Sequence, residues 1–538
     1  MRSNVRGITL VAAILIASAV LGGSYGRSVN ATADNATDLQ ESVKNFTRVL
    51  AIVQQNYAEP VDVDKAIYSG AIPGMLRGLD PHSGFFDARQ FNILREDQKG
   101  KYYGVGMTVA PRDGRTIVLA PFVGSPAYKA GIRPGDVILK VDDKPTDGLS
   151  TSEVADMLKG KQGTVVRILI GREGYTEPLE FTITRDEIPR HGVDNAQLIR
   201  PGIGYVRIAG FNESTDRELS EALDKLDVAT LKGLIVDLRG NPGGLLSEGI
   251  AVADMFLEKN QLIVSHRGRS SPEKRYHSYY GNRGVEVPLV VLLNGQSASA
   301  SEIVAGALQD HDRALVVGEN SFGKGLVQTV FNLAENTGLA LTSAKYYTPS
   351  GRLIQRDYKA VSLYEYHFNR NKNNHQPTDV KLTDSGRQVY GGGGIAPDVL
   401  VPTPKFSPFQ ELLMRRDVFF PFEIGVGGFA RFYLGQKPDI TREFKADDGV
   451  MNEFHRYLDK QGVPFTQQDV QANLHWIQQK IRREVFLSVF GLDEGYKVAL
   501  EDDVQVQKAI EVLPQARALY ENAKRVLAQR QTGQSTPR

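Results

Sequence analysis

Cysteine is absent from this 538-residue chain. That one absence excludes disulfides, thiolate metal sites and a cysteine nucleophile together. An excess of charge is missing too: 64 Lys and Arg stand against 63 Asp and Glu, for a formal net charge of +1. With no strongly basic or acidic block in the body, long-range attraction to nucleic acid or an anionic membrane is not built into the chain. The nine histidines form no His-x-x-x-His pair or comparable cluster, so metal catalysis has no evident ligand set. No metal and no other cofactor is expected. What remains is ordinary for a globular protein, at 41% hydrophobic and 24% charged residues, and long enough for about two to four domains with a sizeable core.

The N-terminus carries an address. Arg2 and Arg6 precede an apolar run from Ile8 to about Gly23, after which the chain turns polar. A spanning helix needs about 17–25 apolar residues, so this run is short for one. Residues 1–26 are therefore expected to be a signal peptide, with Ala17-Ser-Ala19 as a cleavage site, or an uncleaved membrane anchor. In both cases the positive flank stays cytoplasmic and the body is exported. The Ser-, Asn-, Ala- and Thr-rich residues 27–37 read as a linker.

Over residues 38–99 the pattern is helical, with Val43, Phe46, Val49, Leu50 and Val53 at three- and four-residue intervals and a second segment from Ala66 to Leu79. Residues 100–187 switch to short strands and glycine turns: Tyr103 to Met107, Thr116 to Ala120, Val137 to Val141, Val165 to Ile170 and Leu179 to Thr184. Ser150-Thr-Ser-Glu153 is a capping box opening a short helix. Residues 188–405 alternate strands with helices, which implies crossovers, a partly parallel sheet and functional groups at the strands' carboxyl ends. Thr215-Asp-Arg-Glu218 reads as another capping box. Residues 406–538 are helical, with an apolar stripe of Val470, Leu474, Ile477, Ile481, Val485 and Val489 that packs on the body or meets a second copy in a homodimer. The polar tail from Gln529 is expected to be disordered.

The chemistry concentrates in two stretches. Asn294-Gly-Gln-Ser-Ala-Ser-Ala-Ser-Glu302 leaves an apolar strand and enters a helix-like run from Ala300 to Asp310. A nucleophilic Ser belongs at such a turn, beside free backbone amides. Ser297, Ser299 and Ser301 all sit in it, and composition alone does not choose among them. Ser at the helix N-terminus, with the next amide poised for an oxyanion, favours Ser299 with Ala300. The second stretch, Ser321-Phe-Gly-Lys-Gly-Leu-Val-Gln328, sets Lys324 between two glycines and offers it as the base in place of His. An exposed Lys, with a pKa near 10.4, is protonated at neutral pH; burial can lower that value by up to about 3–5 units. Gln328 is neutral and can hold the amine without stabilising its charged form. Gly318 to Lys324 also fits most of a phosphate-binding loop, but position 325 is Gly where a Ser or Thr ligand is required, and strands follow instead of a helix. His311, between two aspartates, reads as an exposed helix-end residue, and His82 as a structural turn residue.

Two resemblances carry these readings further. Residues 100–187, with Ser125-Pro-Ala…Ala130-Gly…Gly135-Asp136, resemble a PDZ domain of the bacterial protease type. That resemblance implies a protein's C-terminal carboxylate held on the amides of Val105, Gly106 and Met107. The chain from about Leu39 to Val401 resembles the C-terminal processing peptidases, or tail-specific proteases, of the Ser/Lys type. Leu79-Asp-Pro-His-Ser83, Gly204-Tyr-Val-Arg-Ile208, Asp237-Leu-Arg-Gly-Asn-Pro-Gly-Gly244, the two stretches above and Gly394-Ile-Ala-Pro-Asp398 stand in that family's order. The resemblance implies a multidomain α/β protein with a ClpP/crotonase-like core, Ser299 as nucleophile, Lys324 as base and Gln328 orienting it. Ala300 and Gly244, rather than Gly243, would supply the oxyanion amides. It also implies substrates with unstructured, apolar-ended tails and a place in the bacterial cell envelope, either periplasmic or anchored on the outer face of the inner membrane. A non-catalytic PDZ adaptor that binds tails without cutting them is the alternative.

Overall fold

The computed structural model describes residues 33–533 apart from 173, 283–284, 360, 369–378, 420–427 and 438. The expected signal or anchor segment lies outside the described residues, as does most of the expected linker. The described residues up to Gly78 form one unit and those from Leu79 onward another. In the first, helix α1 spans Ala33–Asn56 and begins inside the expected linker. Its apolar residues Leu39, Val43, Phe46, Val49 and Val53 are all exposed. Among the described residues no helix is long and apolar enough to cross a membrane.

The second unit starts within the region expected to be wholly helical. Strand β1 (Gly84–Phe86) precedes helix α2 (Ala88–Lys99), which a capping box at Asp87 and Gln90 opens and Gly100, at φ +65°, ends. Strand β2 (Lys101–Gly104) then leads into an antiparallel five-strand path: β3 (Met107–Arg112), β4 (Arg115–Pro121), β5 (Val137–Val141), β6 (Val165–Gly171) and β7 (Leu179–Thr184). Helix α3 (Thr151–Leu158) packs beside it, and Ser150 and Glu153 form its predicted capping box. Strand β8 (Asp186–Pro189) returns antiparallel to β2, so this insertion leaves and re-enters the body through one two-stranded ribbon.

The body is a six-stranded sheet in the order β9 (Val193–Arg200), β10 (Ile203–Ile208), β11 (Gly233–Asp237), β14 (Leu289–Leu293), β15 (Ala314–Gly318), β18 (Val399–Leu400). All its pairings are parallel except β9 with β10. Helices α4 (Thr215–Lys225), α5 (Leu246–Asp254) and α6 (Ala300–Asp310) belong to the core on one face. Helix α7 (Val504–Gly533) covers the other. Alternation makes this possible: Leu234 and Val236 of β11 face the first core and Ile235 the second. A second sheet joins β1, β12 (Leu262–Gly268), β13 (Ser271–His277), β16 (Leu326–Asn332) and β17 (Gly338–Tyr347), all antiparallel.

Several expectations need correction. The Thr215 capping box does not form: Thr215 lies inside α4, and its hydroxyl accepts from Asn212 N at 3.0 Å. Glu218 is drawn away instead to His191 and to the amide of Val193. The stripe at Val470, Ile477, Ile481 and Val485 is buried among the C-terminal helices themselves, in a separate aromatic-rich core with Phe409, Phe429 and Phe454. Leu474 is partly buried against that core, and Val489, the last residue of the stripe, is exposed. The last helix continues past Gln529 to Gly533, and the polar tail beyond it lies outside the described residues. His311 is not exposed: its Nδ1 and Nε2 sit 2.7 Å from Asp384 Oδ2 and Leu262 O, fastening the end of α6 to β12.

Candidate active site

Strand β14 is buried along its whole length, so its polar chemistry begins only where it ends, at Asn294. The turn from there to α6 is stitched to the turn that follows β11. Ser297 Oγ donates to Leu238 O at 2.8 Å and accepts from Asn294 N at 3.0 Å. Ser301 Oγ donates to Asn241 O at 3.1 Å, and Ala298 N reaches the same oxygen at 3.0 Å. Two of the three serines are thus consumed as scaffold. Ser299 instead lines an open cleft of about 550 Å³. Its backbone sits at φ +55° and ψ −112°, a conformation a residue with a Cβ adopts only under constraint.

That constraint comes largely from Glu302, whose side chain is fully buried. One carboxylate oxygen accepts from Ser299 N at 2.8 Å and Lys324 N at 2.9 Å. The other accepts from Ser321 Oγ at 2.5 Å and Gly323 N at 2.7 Å. Burial raises the Glu302 pKa, partly offset by these donors. The hydroxyl of Tyr346 lies within reach of both the Ser299 and the Lys324 carbonyl oxygens. One carboxylate and one phenol therefore fix both stretches that carry the predicted chemistry.

Lys324 lines the same cleft, and its Nζ donates to Gln328 Oε1 at 3.0 Å. Burial lowers its pKa; the negative charges of Glu302 and Asp80 act the other way and are outweighed. Gln328 Nε2 in turn donates to the carbonyl oxygen of His82. The His82 turn is set by Asp80, which accepts from His82 N, Ser83 N and Ser83 Oγ at 2.7–2.8 Å. The His82 ring lies 2.8 Å from Tyr366 Oη, and burial, then the charge of Lys324, pushes it down to about 4, so it is neutral near pH 7.

The glycine turn closes the other side of the cleft. Gly243 N donates to Asn241 Oδ1 at 2.8 Å and is occupied. Gly244, at φ +152°, holds so tight a place that a Cβ there would fall 2.0 Å from Phe211 O. Among the described residues the amides of Gly244 and Ala300 donate to no protein acceptor; Ala300 follows Ser299 in the chain, and Gly244 lines the same cleft as Ser299. Ser299, Lys324, Gln328, Gly244 and Ala300 are thus gathered at one end of the parallel sheet. The residues missed from sequence are Glu302, Tyr346 and the backbone of His82. Ser299-Ala-Ser-Glu302 has capping-box spacing and was a usable signal for Glu302; the Leu79-Asp-Pro-His-Ser83 motif marked the His82 turn but not the use of its carbonyl, and nothing local marked Tyr346.

Val105, Gly106 and Met107 lie elsewhere, in a groove of about 490 Å³ between β3 and α3. Their carbonyls turn inward: Val105 O accepts from Ala127 N at 2.8 Å and Gly106 O from Phe122 N at 3.0 Å. Among the described residues the amides of Val105 and Gly106 meet no acceptor. Helix α2 walls both sites, with Arg89 and Ile93 on this groove and Leu94, Asp97 and Gln98 on the cleft.

Residues 202–361 match the family described as Peptidase family S41, and residues 117–172 match a PDZ domain. A carboxy-terminal-processing protease of Bartonella bacilliformis is 42% identical over 329 residues, covering 60% of this chain and 75% of the relative. A carboxy-terminal processing protease of Bacillus subtilis is 34% identical, covering 65% and 73%. Among solved structures, the photosystem II D1 C-terminal processing protease is 31% identical over 64% of this chain and 84% of that one, with a TM-score of 0.35. The chain belongs to the carboxy-terminal-processing proteases of peptidase family S41, and it is a serine-type peptidase with a PDZ domain.

Proposed function

We propose that this protease is exported, binds the C-terminal tail of a substrate protein in its PDZ groove, and cuts that chain with a Ser299/Lys324 dyad. The observation that carries the dyad is Lys324 Nζ, lowered in pKa by burial and held by the neutral Gln328, on the cleft that Ser299 also lines. Neutral Lys324 accepts the proton as Ser299 Oγ attacks the scissile carbonyl carbon. The oxyanion is met by the amides of Gly244 and Ala300. Lys324 then hands the proton to the departing amine, leaving an acyl-enzyme that water resolves by the same route. Export rests on the charged and apolar order of residues 2–23, which also suits an anchor on the outer face of the inner membrane. Docking of the tail is proposed to gate the cleft, since α2 walls both sites.

The test is cleavage of a protein with an unstructured apolar tail by the wild type, Ser299→Ala and Lys324→Ala. Both variants are expected to bind the tail and leave it uncut. Near-normal turnover in either would overturn the dyad. Binding without cleavage in the wild type would point to a resting enzyme awaiting an activator, or to the adaptor.

A further inference from the structure

The region after residue 406 reaches the glycine turn. Arg239, in the turn between β11 and Gly244, makes a bidentate pair with buried Asp237, with contacts of 2.6–3.0 Å. Its remaining terminal nitrogen, Nη1, points the other way, to Asp503 Oδ1 and Oδ2 at 3.0 and 2.8 Å and to Gln505 Oε1 at 2.8 Å. Asp503 is itself held: its Oδ1 accepts from Gln505 N and Val506 N at 2.9 and 3.0 Å, capping α7. Gln505 Nε2 is tied to Val401 O at 2.7 Å. Behind this cap, α7 is seated on the sheet by Val506, Ala509, Val512 and Leu513. The end of α7 is therefore a fixed post, and Arg239 is the arm that grips it.

From Arg239 the connection runs on. Leu238 O and Asn241 O receive the hydroxyls of Ser297 and Ser301. Asn241 Oδ1 orients Gly243, on which a Cβ would lie 2.7 Å from Ser299 Cβ. We propose that Asp503 and Gln505 are positioning residues for the oxyanion turn, acting through Arg239, so that the C-terminal region is part of the catalytic apparatus. This rests on the oxyanion role proposed above for Gly244. A preorganised donor works only if it does not have to be reoriented as charge develops, and loss of one oxyanion donor costs about 10²–10³ in rate. A turn freed at Arg239 keeps its donors but loses their fixed aim.

Asp503→Asn separates the two duties of this carboxylate, because Asn still caps a helix but carries no charge and sets an N–H against Arg239 where Oδ2 accepted. A fall in kcat of about tenfold is expected, a fraction of a full donor loss. KM and tail affinity in the PDZ groove should stay within about twofold, while a peptide aldehyde should bind more weakly in proportion to kcat. Arg239→Gln should lower kcat similarly, and the double variant should lose little more than Arg239→Gln alone. Asp503→Ser, a shorter cap, serves if the Asn variant fails to fold. An unchanged kcat would overturn the inference, as would a parallel decline in kcat, KM, tail affinity and folded fraction. Inactive Ser299→Ala and Lys324→Ala beside a normal Asp503→Asn would reject this inference alone and leave the dyad standing.

Discussion

Lys324 can accept a proton only while its amine is neutral, so pH tests its place directly. Burial lowers its folded pKa below the ordinary 10.5, and cleavage should rise with pH along a limb centred below that value. The stability sign follows: between the lowered folded value and the unfolded one the unfolded chain binds more protons, so fold stability also rises with pH there. Lys324→Met should remove that slope, as urea titrations across the window would show. Glu302 adds a second handle. Its charge raises the Lys324 pKa, so Glu302→Gln should move the acidic limb of the rate profile to lower pH. The amide cannot accept all four donors, so kcat should fall as well, by at least about tenfold, and the fold should lose about 1–3 kcal/mol for each buried group left unpaired. A limb that stays in place would mean the two groups are not coupled. At this scale the sequence was legible where residue type and spacing mark a turn, as for the two stretches whose Ser299 and Lys324 line one cleft. His311 was misread because Asp384 and Leu262, which bury it, lie 73 and 49 residues away in the chain. No local pattern encodes such a contact.

Elements were easier to read when packing and propensity agreed. Strand β14 and helix α6 fall on the residues expected of them because an all-aliphatic run must be buried and a Ser-x-x-Glu start must cap. Thr215 shows the converse: its local pattern was sound, but Asn212, His191 and Val193 compete for the same groups. The PDZ insertion offers a prediction at this scale. Gly100 O accepts from Arg190 N at 2.8 Å, so the two ends of the insertion already touch. Replacing residues 101–189 by a short Gly-Ser bridge should leave the peptidase body folded. Cleavage of tailed proteins should drop while Ser299 still reacts with a small acylating probe. Undiminished cleavage of a tailed substrate would show that the groove neither recruits the tail nor gates the cleft.

For the whole molecule, the sheet is closed on one face by α4, α5 and α6 and on the other by α7, nearly 200 residues further along. Helical periodicity foretold α7 but not which surface it would cover, because both faces of a parallel sheet read as continuous hydrophobic strands. The placement of α2 has a different consequence. If the tail is fixed in the groove as proposed, its chain has to clear this helix, which lines both groove and cleft, to enter the cleft. A helix with side chains is about 10–12 Å across and an extended chain advances about 3.3 Å per residue, so at least about three or four residues are spent in transit. The molecule is then a ruler with a minimum setting. Mass spectra of the released fragments should contain no one- or two-residue products, and the shortest fragment should lengthen if α2 is extended by a turn. On the proposed mode of binding, the enzyme does not nibble: a tail is removed in a piece or left alone.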